Sequence, residues 1–379
     1  MMKILQYDVR FTTPAFLGNA EQAGQWRAPP FKALLRQWWR VAYSGERGFE
    51  IDQLEMRREE GLLFGNAWLS HQEHGRPVND HCRSLVRLRL EHWNPGHMLT
   101  WEAAPKVRHP EVPVAVGSDL YLGYGPLVLP RGGRYPELKV KPAIESGESM
   151  RLSIAVPDEN VKLITDAVRL IDRYGAVGGR SRNGWGSLSF VPISDTPALE
   201  GSTPARTWLD AMNWDWPHAL GTDDRGGLVW QTPEFDHWGG VLRELAAIKV
   251  GLRTQFTFST GNNTPDPEFR HWLSYPVTKH AVAGWRNARL PNSLRFKVRP
   301  DDADPTKLRG VIFHVPCLPP QGFHPDMPAI IETWRRVHGL LDELTHPREG
   351  RRYETIQDAD RREELKPQLD AINLDRGRA

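Results

Sequence analysis

The fold is decided by residues 150–190, MRLSIAVPDENVKLITDAVRLIDRYGAVGGRSRNGWGSLSF. Apolar and polar side chains alternate over 150–156, which predicts a half-buried strand. Apolar side chains recur at helical spacing over 161–174, which predicts an amphipathic helix. Residues 187–191 predict another strand, so this stretch reads as strand, helix, glycine-rich loop and strand.

The residues before this stretch supply the other half of the same unit. Residues 3–11 alternate as a first strand, residues 31–43 carry helical periodicity after Pro29 and Pro30, and residues 84–92 alternate as a second strand. A short charged helix over 50–60 and a hairpin over 112–129 interrupt this order. The order β, α, β, β, α, β predicts an α+β protein with antiparallel sheets and a ferredoxin-like (RRM-like, split βαβ) domain with insertions.

The second half is predicted to be a divergent copy of that fold. Helix patterns at 236–252 and 329–344 flank strand patterns at 290–300 and 308–319, but pattern alone leaves the strand order open. We predict a first domain over 1–192, which contains the basic helix and the glycine-rich loop, and a linker rich in Pro, Ser and Thr over 193–207. A second domain over 208–345 and a charged tail over 346–379 follow.

Composition narrows the function classes. The chain has 379 residues, 39% hydrophobic and 25% charged, and no apolar run approaches the roughly 20 residues of a membrane span. Because residues 1–14 alternate like a strand, no signal peptide is expected, and a soluble cytoplasmic protein is predicted. Cys82 and Cys317 are far apart, so no disulfide framework, metal site or cofactor is expected. The net charge of +2 restricts any nucleic-acid site to a local patch.

The helix over 31–43 carries a basic and aromatic face. On one surface, opposite the apolar stripe, helical spacing places Lys32, Arg36, Trp39, Arg40 and Tyr43. A solvated basic face is the simpler interpretation. Cations interleaved with aromatic rings favour single-stranded nucleic acid, in which phosphates meet cations and bases stack on rings.

The glycine-rich loop has two interpretations as well. Its glycines suit tight turns, and Asn183 with Gly184 is a hairpin signal. A mononucleotide site is disfavoured because no GxxxxGK[ST] motif occurs. If the first helix and this loop border one sheet edge, their residues line a shared RNA groove; the loop's candidate RNA-binding residues are Gly178, Gly179, Arg180, Ser181, Arg182, Asn183 and Trp185.

Two further segments carry weaker signals. Arg295 and Lys297 alternate with apolar residues on one face of a strand, so they either extend the RNA path or face water. Trp214 and Trp216 form an aromatic cluster that is assigned to contact with a partner subunit.

Histidine-containing segments are weighed for catalysis and metal binding. The stretch HQEHGRPVNDHC contains His71, His74, His81 and Cys82, but its spacing fits no standard zinc site and a surface loop is favoured. Asp80 in the same loop is a candidate for metal-assisted RNA cleavage, although it lacks visible partners. The later histidines, His271, His280 and His314, lie among strand-like segments and are interpreted as structural.

The chain resembles the RAMP superfamily of CRISPR-associated proteins, and within it the first RAMP subunits of type III-B (Cmr) effector complexes. The resemblance rests on TPAFLGNAEQAGQWRAPPFKALLRQWWR at 13–40, LFG at 63–65 and GAVGGRSRNGWGSLSF at 175–190, and more weakly on YPVTKH at 275–280 and RLPNSLRFKVRP at 289–300. The family's glycine-rich loop corresponds to 178–186 and its basic helix to Lys32, Arg36 and Arg40. The net charge of the chain is nearly neutral, whereas a long RNA-binding path requires an excess of positive charge.

The resemblance implies an RNA-binding subunit near the 3′ end of the guide RNA that helps capture target RNA. Its implied partners are guide RNA (crRNA), single-stranded target RNA and other RAMP subunits. No acid and base share a visible site, so a non-catalytic subunit is expected. A RAMP endoribonuclease is the alternative, and a structural protein whose basic face pairs with an acidic partner is a third possibility.

Overall fold

The computed structural model describes residues 1–345, and for 68–73 and 77–80 it describes the backbone only. The predicted charged tail, 346–379, lies outside the described residues. The strands of the first half are β1 (Met2–Phe11), β2 (Asn66–Glu73), β3 (Arg76–Cys82), β4 (Arg87–Leu90), β5 (Lys106–Val107), β6 (Val116–Gly117), β7 (Leu127–Val128), β8 (Glu137–Leu138), β9 (Ser149–Pro157) and β10 (Leu188–Ile193). Its helices are α1 (Ala28–Glu46), α2 (Gln53–Phe64), α3 (Ser118–Gly123) and α4 (Val161–Tyr174).

The second half of the chain also contains both strands and helices. Its strands are β11 (Ala205–Thr207), β12 (Leu220–Asp223), β13 (Gly226–Gly227), β14 (Val229–Phe235), β15 (Leu294–Pro300) and β16 (Leu308–His314). Its helices are α5 (Trp208–Ala211), α6 (Trp238–Thr254), α7 (Phe269–Leu273) and α8 (Met327–Leu344). None of the helices described is long and apolar enough to cross a bilayer.

The main sheet of the first half has the strand order β10-β1-β9-β4, with antiparallel neighbours throughout. Helix α1 follows β1 and helix α4 follows β9, and the two helices pack on each other. With α1 leading to β4 and α4 leading to β10, this is the split βαβ arrangement. The predicted ferredoxin-like fold is confirmed, because each of its six elements forms and pairs in the expected order.

Buried and exposed side chains alternate along β1. Leu5, Tyr7, Val9 and Phe11 are fully buried, and the intervening Asp8 and Arg10 are exposed. The helices therefore cover one face of the sheet and leave the other open.

The second half forms a shorter version of this fold. Its antiparallel sheet has the order β14-β16-β15, and α6 and α8 follow β14 and β16. Within residues 1–345 no fourth strand joins this sheet. A separate small sheet, β11-β12-β13, contains a parallel pair between β11 and β12. The prediction of antiparallel sheets thus holds for both main sheets.

The two halves share their hydrophobic cores. One core contains the first sheet and also Val311 and Phe313 of β16, and the other contains α6 and also Trp185 of the glycine-rich loop. Thr12 Oγ1 donates to the carbonyl of Val298 at 2.7 Å across the same junction. The predicted division at 193–207 stays a prediction, and the loop is packed by both halves.

Several insertions differ from their predicted form. The stretch around His74 is a hairpin, β2–β3, instead of the predicted surface loop, since backbone pairing runs from Asn66↔Cys82 to Glu73↔Arg76. The predicted hairpin over 112–129 contains the short helix α3 between β6 and β7. The charged helix predicted over 50–60 extends to Phe64, because Met56, Leu63 and Phe64 bury their side chains against the first core.

Candidate nucleic-acid interface

The glycine-rich loop is first of all a close-packed turn. Gly178 has φ +97°, and a Cβ there would lie 2.8 Å from the carbonyl oxygen of Phe16. Gly186 has φ +65°, and a Cβ there would lie 1.9 Å from the carbonyl oxygen of Val177. Glycine is therefore required by the backbone at both positions. The turn interpretation of these residues is correct, and it coexists with the surface described next.

Trp185 does not offer the stacking surface that was predicted. Its side chain is fully buried, with ring centroids 5.3 Å from Phe16, 5.4 Å from Trp101 and 5.9 Å from Trp238. Because aromatic packing fills both sides of the indole, no base can reach it without unfolding the loop. The prediction that Trp185 binds RNA is wrong.

A surface cleft opens beside Gly178 and Gly179. It has a volume of about 540 Å³, and it is lined by Phe16, Leu17, Gly18, Asn19, Gln22, Gly24, Arg27, Pro30, Gly125, Pro126, Lys139, Val140, Pro142, Ala143, Gly178 and Gly179. We call this the glycine-loop cleft. Two cations and no carboxylate belong to this lining, all of which falls in the described part of the chain.

A third cation stands at the rim of the cleft. Arg180 is exposed, and its Nε donates to the carbonyl of Tyr124 at 2.6 Å, which holds the guanidinium beside Gly125. Among the side chains that the structure describes, no carboxylate lies at ion-pair distance from Arg27, Lys139 or Arg180. The Nε of Arg27 is buried, and no hydrogen-bond partner for it exists among the described residues. The glycine-loop cleft is therefore a site of uncompensated positive charge.

The basic face of α1 is partly covered by α2. Trp39 and Tyr43 are 1% and 3% exposed, stacked on each other at 4.5 Å, and Phe64 packs edge-on against Trp39 at 5.8 Å. Helical spacing correctly grouped these rings with the cations, but α2 lies over that side of α1 and buries them. The prediction that Trp39 and Tyr43 stack on bases is wrong.

The arginines on this face are held by one carboxylate. Glu60 of α2 accepts from Arg36 Nε at 2.7 Å and from Arg40 Nη2 at 3.0 Å, and Arg40 Nε makes a further bond to it. Trp216 lies on Arg40, 3.8 Å from its guanidinium carbon to the ring centroid. Burial, and then the charge of Arg36, lowers the pKa of Lys32. Trp216 thus packs within the chain, and its contact with a partner stays a prediction.

A second cleft lies over this ion pair, with a volume of about 350 Å³. Its lining includes Arg36, Arg40, Arg57 and Glu60, so cations outnumber carboxylates there as well. It shares no lining residue with the glycine-loop cleft. The helix face and the loop, predicted to share a groove, therefore open into two separate clefts.

Arg295 and Lys297 face the interior. Lys297 is fully buried, and its Nζ donates to the carbonyls of Ile171 and Leu188 at 2.7 Å each and to that of Asp172. Arg295 is 8% exposed, and burial followed by the charge of Arg182 lowers its pKa to about 9. The prediction that these strand cations extend the RNA path is wrong, because the sheet of the second half packs this face against the first half.

The remaining loop residues are held by both halves. Asn183 Nδ2 donates to the carbonyl of Leu122 at 2.7 Å, and Lys249 Nζ donates to Asn183 Oδ1 at 2.7 Å. The carbonyl of Arg182 accepts from the backbone N–H of Phe296 at 3.0 Å. Arg182 is exposed and Ser181 is half-buried, so both remain candidates at the surface.

The open face of the first sheet differs from an RNA-recognition sheet. In RNA-recognition modules, aromatic side chains on this face stack on bases. The corresponding positions here are Ile4, Gln6, Asp8, Arg10, Arg87, Arg89, Arg151, Ser153, Ala155, Ser189, Val191 and Ile193. None of these positions is aromatic, so the open face of the sheet has no stacking platform.

The histidine candidates separate into two groups. His74 and His81 are exposed on the β2–β3 hairpin, Cys82 Sγ lies 3.3 Å from the carbonyl of Gly61, and the side chains of His71 and Asp80 lie outside the described residues. Among the residues described, no three or more His, Cys, Asp or Glu side chains are grouped to hold a metal.

The later histidines are packed and hydrogen-bonded. His271 Nε2 lies 2.9 Å from the carbonyl oxygen of His280, and burial lowers the pKa of His271. His314 is fully buried between Ser293, at 2.9 Å, and His338, at 3.0 Å. These contacts agree with the structural interpretation of His271, His280 and His314.

Sequence reasoning missed Arg27 and Lys139. Arg27 immediately precedes α1, which starts without a side-chain cap because Pro29 and Pro30 carry no N–H to satisfy. Lys139 follows β8 in an insertion whose register the sequence does not specify. A run of cations in KVK at 139–141 was the available signal, but nothing in the pattern linked it to the glycine-rich loop.

The first half of the chain is similar to a known protein family. No curated protein sequence matches the chain. The solved structure of Cmr1 from Pyrococcus furiosus in its apo form is similar at a TM-score of 0.40 and 15% sequence identity, over 82% of this chain and 87% of that one. The model of the RAMP superfamily matches residues 9–189, which contain the main sheet, α1, α4 and the glycine-rich loop. Residues 9–189 of this chain are therefore similar to the RAMP superfamily.

Proposed function

We propose that this protein is a non-catalytic, cytoplasmic RNA-binding subunit of a type III-B CRISPR (Cmr) effector complex. In that role it sits near the 3′ end of the guide RNA, beside other RAMP subunits, and helps capture single-stranded target RNA. The RAMP domain and the motifs at 13–40, 63–65 and 175–190 support the assignment to such a complex.

The observation that carries RNA binding is the glycine-loop cleft. Arg27, Lys139 and Arg180 surround it, and its lining contains no carboxylate. Like charges that are not compensated by carboxylates attract an anionic ligand, and guanidinium groups match phosphate oxygens well. Gly178 and Gly179 at its wall let a ligand approach the backbone closely.

The cleft supports contacts to the RNA backbone more than to bases. Its cations supply phosphate contacts, which are independent of sequence. The predicted base-stacking rings, Trp39, Tyr43 and Trp185, are all buried. Sequence selection is then left to base pairing between guide and target.

The test is binding of fluorescently labelled single-stranded RNA to the full chain, followed by anisotropy over a range of salt concentrations. The variant Arg27→Gln/Lys139→Gln/Arg180→Gln removes three contacts of about 1 kcal/mol each, which predicts about a 100-fold loss of affinity. The slope of log K against log salt is expected to fall by about 2, since each phosphate contact in a single strand contributes roughly 0.7.

A matched control removes the same charge from the open sheet face. Arg87→Gln/Arg89→Gln/Arg151→Gln is expected to change affinity less than threefold. Equal losses for the two variants, or an unchanged cleft variant, contradict the assignment to the cleft. Gel analysis of the same RNA, with and without divalent metal, tests the non-catalytic role, and cleavage by the purified chain contradicts it.

A further inference from the structure

Cations from both halves of the chain meet where α3 ends. Arg180, from the glycine-rich loop, is anchored to the carbonyl of Tyr124 just after α3. Lys249, from α6 of the second half, donates to Asn183 Oδ1 at 2.7 Å, and Asn183 itself donates to the carbonyl of Leu122 in α3. The end of α3 therefore fixes the loop cation and the helix cation relative to each other.

Arg253 adds a third cation to this group. It lies one turn after Lys249 on α6, so both side chains share one face of the helix. Its guanidinium carbon is 6.0 Å from the ring centroid of Tyr121, also in α3. Arg180 is exposed, and Lys249 and Arg253 are half-buried, so part of each residue lies at the surface.

The charge around Lys249 is uncompensated. Burial is the main cause that lowers its pKa to about 7, and the charges of Arg253 and Arg180 lower it further. Among the described residues, these two arginines are the charged groups that act on it. A crowded cationic group of this kind is stabilised by an anion, which relieves the repulsion between like charges.

We propose that the RNA path continues from the glycine-loop cleft onto α6, where Lys249 and Arg253 join Arg180 in binding one phosphate of the RNA backbone. This inference rests on the proposed function and extends it to the second half of the chain. The Nζ of Lys249 has N–H groups beyond the one bonded to Asn183, and the guanidinium groups of Arg180 and Arg253 are near enough for their charges to act on it.

His109 is a titratable group near Arg253. The charge of Arg253 acts on it, and burial is the main cause that lowers the pKa of His109. Glu111, which also acts on His109, is paired with Arg270 at 2.5 Å. This carboxylate is therefore already engaged by another cation.

Proton linkage provides the readout. A bound phosphate favours the charged form of Lys249, so binding takes up a proton where the free lysine is neutral. RNA affinity of the wild type is expected to fall about tenfold between pH 6.5 and pH 8.5, across the pKa of about 7. Lys249→Arg keeps the charge and removes this titration, so its affinity is expected to stay constant over that range.

The test measures anisotropy of labelled single-stranded RNA with the full chain at both pH values and at several salt concentrations. Lys249→Met is expected to bind about tenfold more weakly than the wild type at pH 6.5, without pH dependence. Its salt slope is expected to be lower by roughly 0.7, as for one lost phosphate contact. Arg253→Gln removes none of the hydrogen bonds that anchor Arg180 and Asn183. It is expected to lose affinity and salt slope by similar amounts, and it replaces Lys249→Met if that variant misfolds.

Each other outcome counts against the inference. An unchanged salt slope for both variants means that α6 only positions the loop, and a wild-type pH profile in Lys249→Arg means that another group titrates. If these variants bind like the wild type while Arg27→Gln/Lys139→Gln/Arg180→Gln does not, the extension to α6 is wrong and the proposed function stands. If that cleft variant also binds normally, both are wrong.

Discussion

Replacing Lys297 with methionine tests how the two halves are held together. The lysine crosses from β15 to three carbonyl oxygens, two at the end of α4 and one at the start of β10, so it joins both ends of the glycine-rich loop. It is fully buried, and burial is the main cause that lowers its pKa from 10.5 to about 7. Methionine has a similar length and carries neither charge nor donor.

The magnitude follows from proton binding in the two states. Between about pH 7 and pH 10.5 the unfolded chain keeps a proton on residue 297 and the folded chain does not, because the pKa is lower in the folded state. The unfolded state therefore binds more protons, and the free energy of unfolding rises with pH. From pH 7 to pH 9 this contribution to the wild type grows by about 2 kcal/mol, and Lys297→Met lacks it.

The assay is urea unfolding followed by far-ultraviolet circular dichroism at pH 7 and pH 9. At pH 7 the variant loses the hydrogen bonds to the three carbonyls and avoids burying an ammonium group, and these effects oppose each other. At pH 9 the folded wild type carries a neutral amine with two N–H donors, so no buried charge remains. The free energy of unfolding of the wild type minus that of the variant is compared at the two pH values. Its change with pH reports only the ionisation of Lys297. It is expected to shift by about 2 kcal/mol in favour of the wild type at pH 9. Lys139→Met, at an exposed lysine, is the matched control.

A difference that is equal at the two pH values would refute the reasoning. It would mean that the three carbonyl oxygens stabilise the ammonium as well as water does. A shift in the opposite direction would mean that the folded state binds the proton more tightly than the unfolded chain.

Two further substitutions test the packing of the loop and of α1. Gly186→Ala is expected to lower the unfolding temperature by several degrees, because its Cβ would meet the carbonyl oxygen of Val177. Its control, Gly339→Ala, lies at a helical position of α8 with space for a Cβ, and it is expected to stabilise the protein by about 0.5–1 kcal/mol. Equal effects of the two changes would contradict the loop geometry. Trp39→Ala is expected to cost roughly 3–5 kcal/mol in urea unfolding, as for a buried ring, and a cost below 1 kcal/mol would place that ring at the surface.

The local pattern of the sequence is sufficient to predict the main sheet and the two main helices of the first half. Strands β1, β4, β9 and β10 and helices α1 and α4 were predicted because each repeats apolar side chains at its own period, and their order left few topologies open. In the second half, the same patterns located α6, α8, β15 and β16. The segment that forms β14, VWQTPEF, gives no clear strand pattern, since its alternation is interrupted at Pro233.

Burial by distant segments explains the errors at the site. Helical spacing placed Trp39 beside Arg36 and Arg40 correctly, but it carried no information about α2, which packs over them. Strand alternation predicted which face of its strand Lys297 lies on. That face is buried only because the two halves of the chain pack against each other there.

The sequence by itself determined the order of elements, the glycine-rich turn and the resemblance to a known family, because these depend on neighbouring residues and on motifs. Only the tertiary structure decided which cations reach solvent. Arg27, Lys139 and Arg180 come from three separate segments and meet at one cleft, whereas Arg295 and Lys297 turn inward. The physical reason is that exposure depends on what packs over a side chain, and that partner lies far away along the chain.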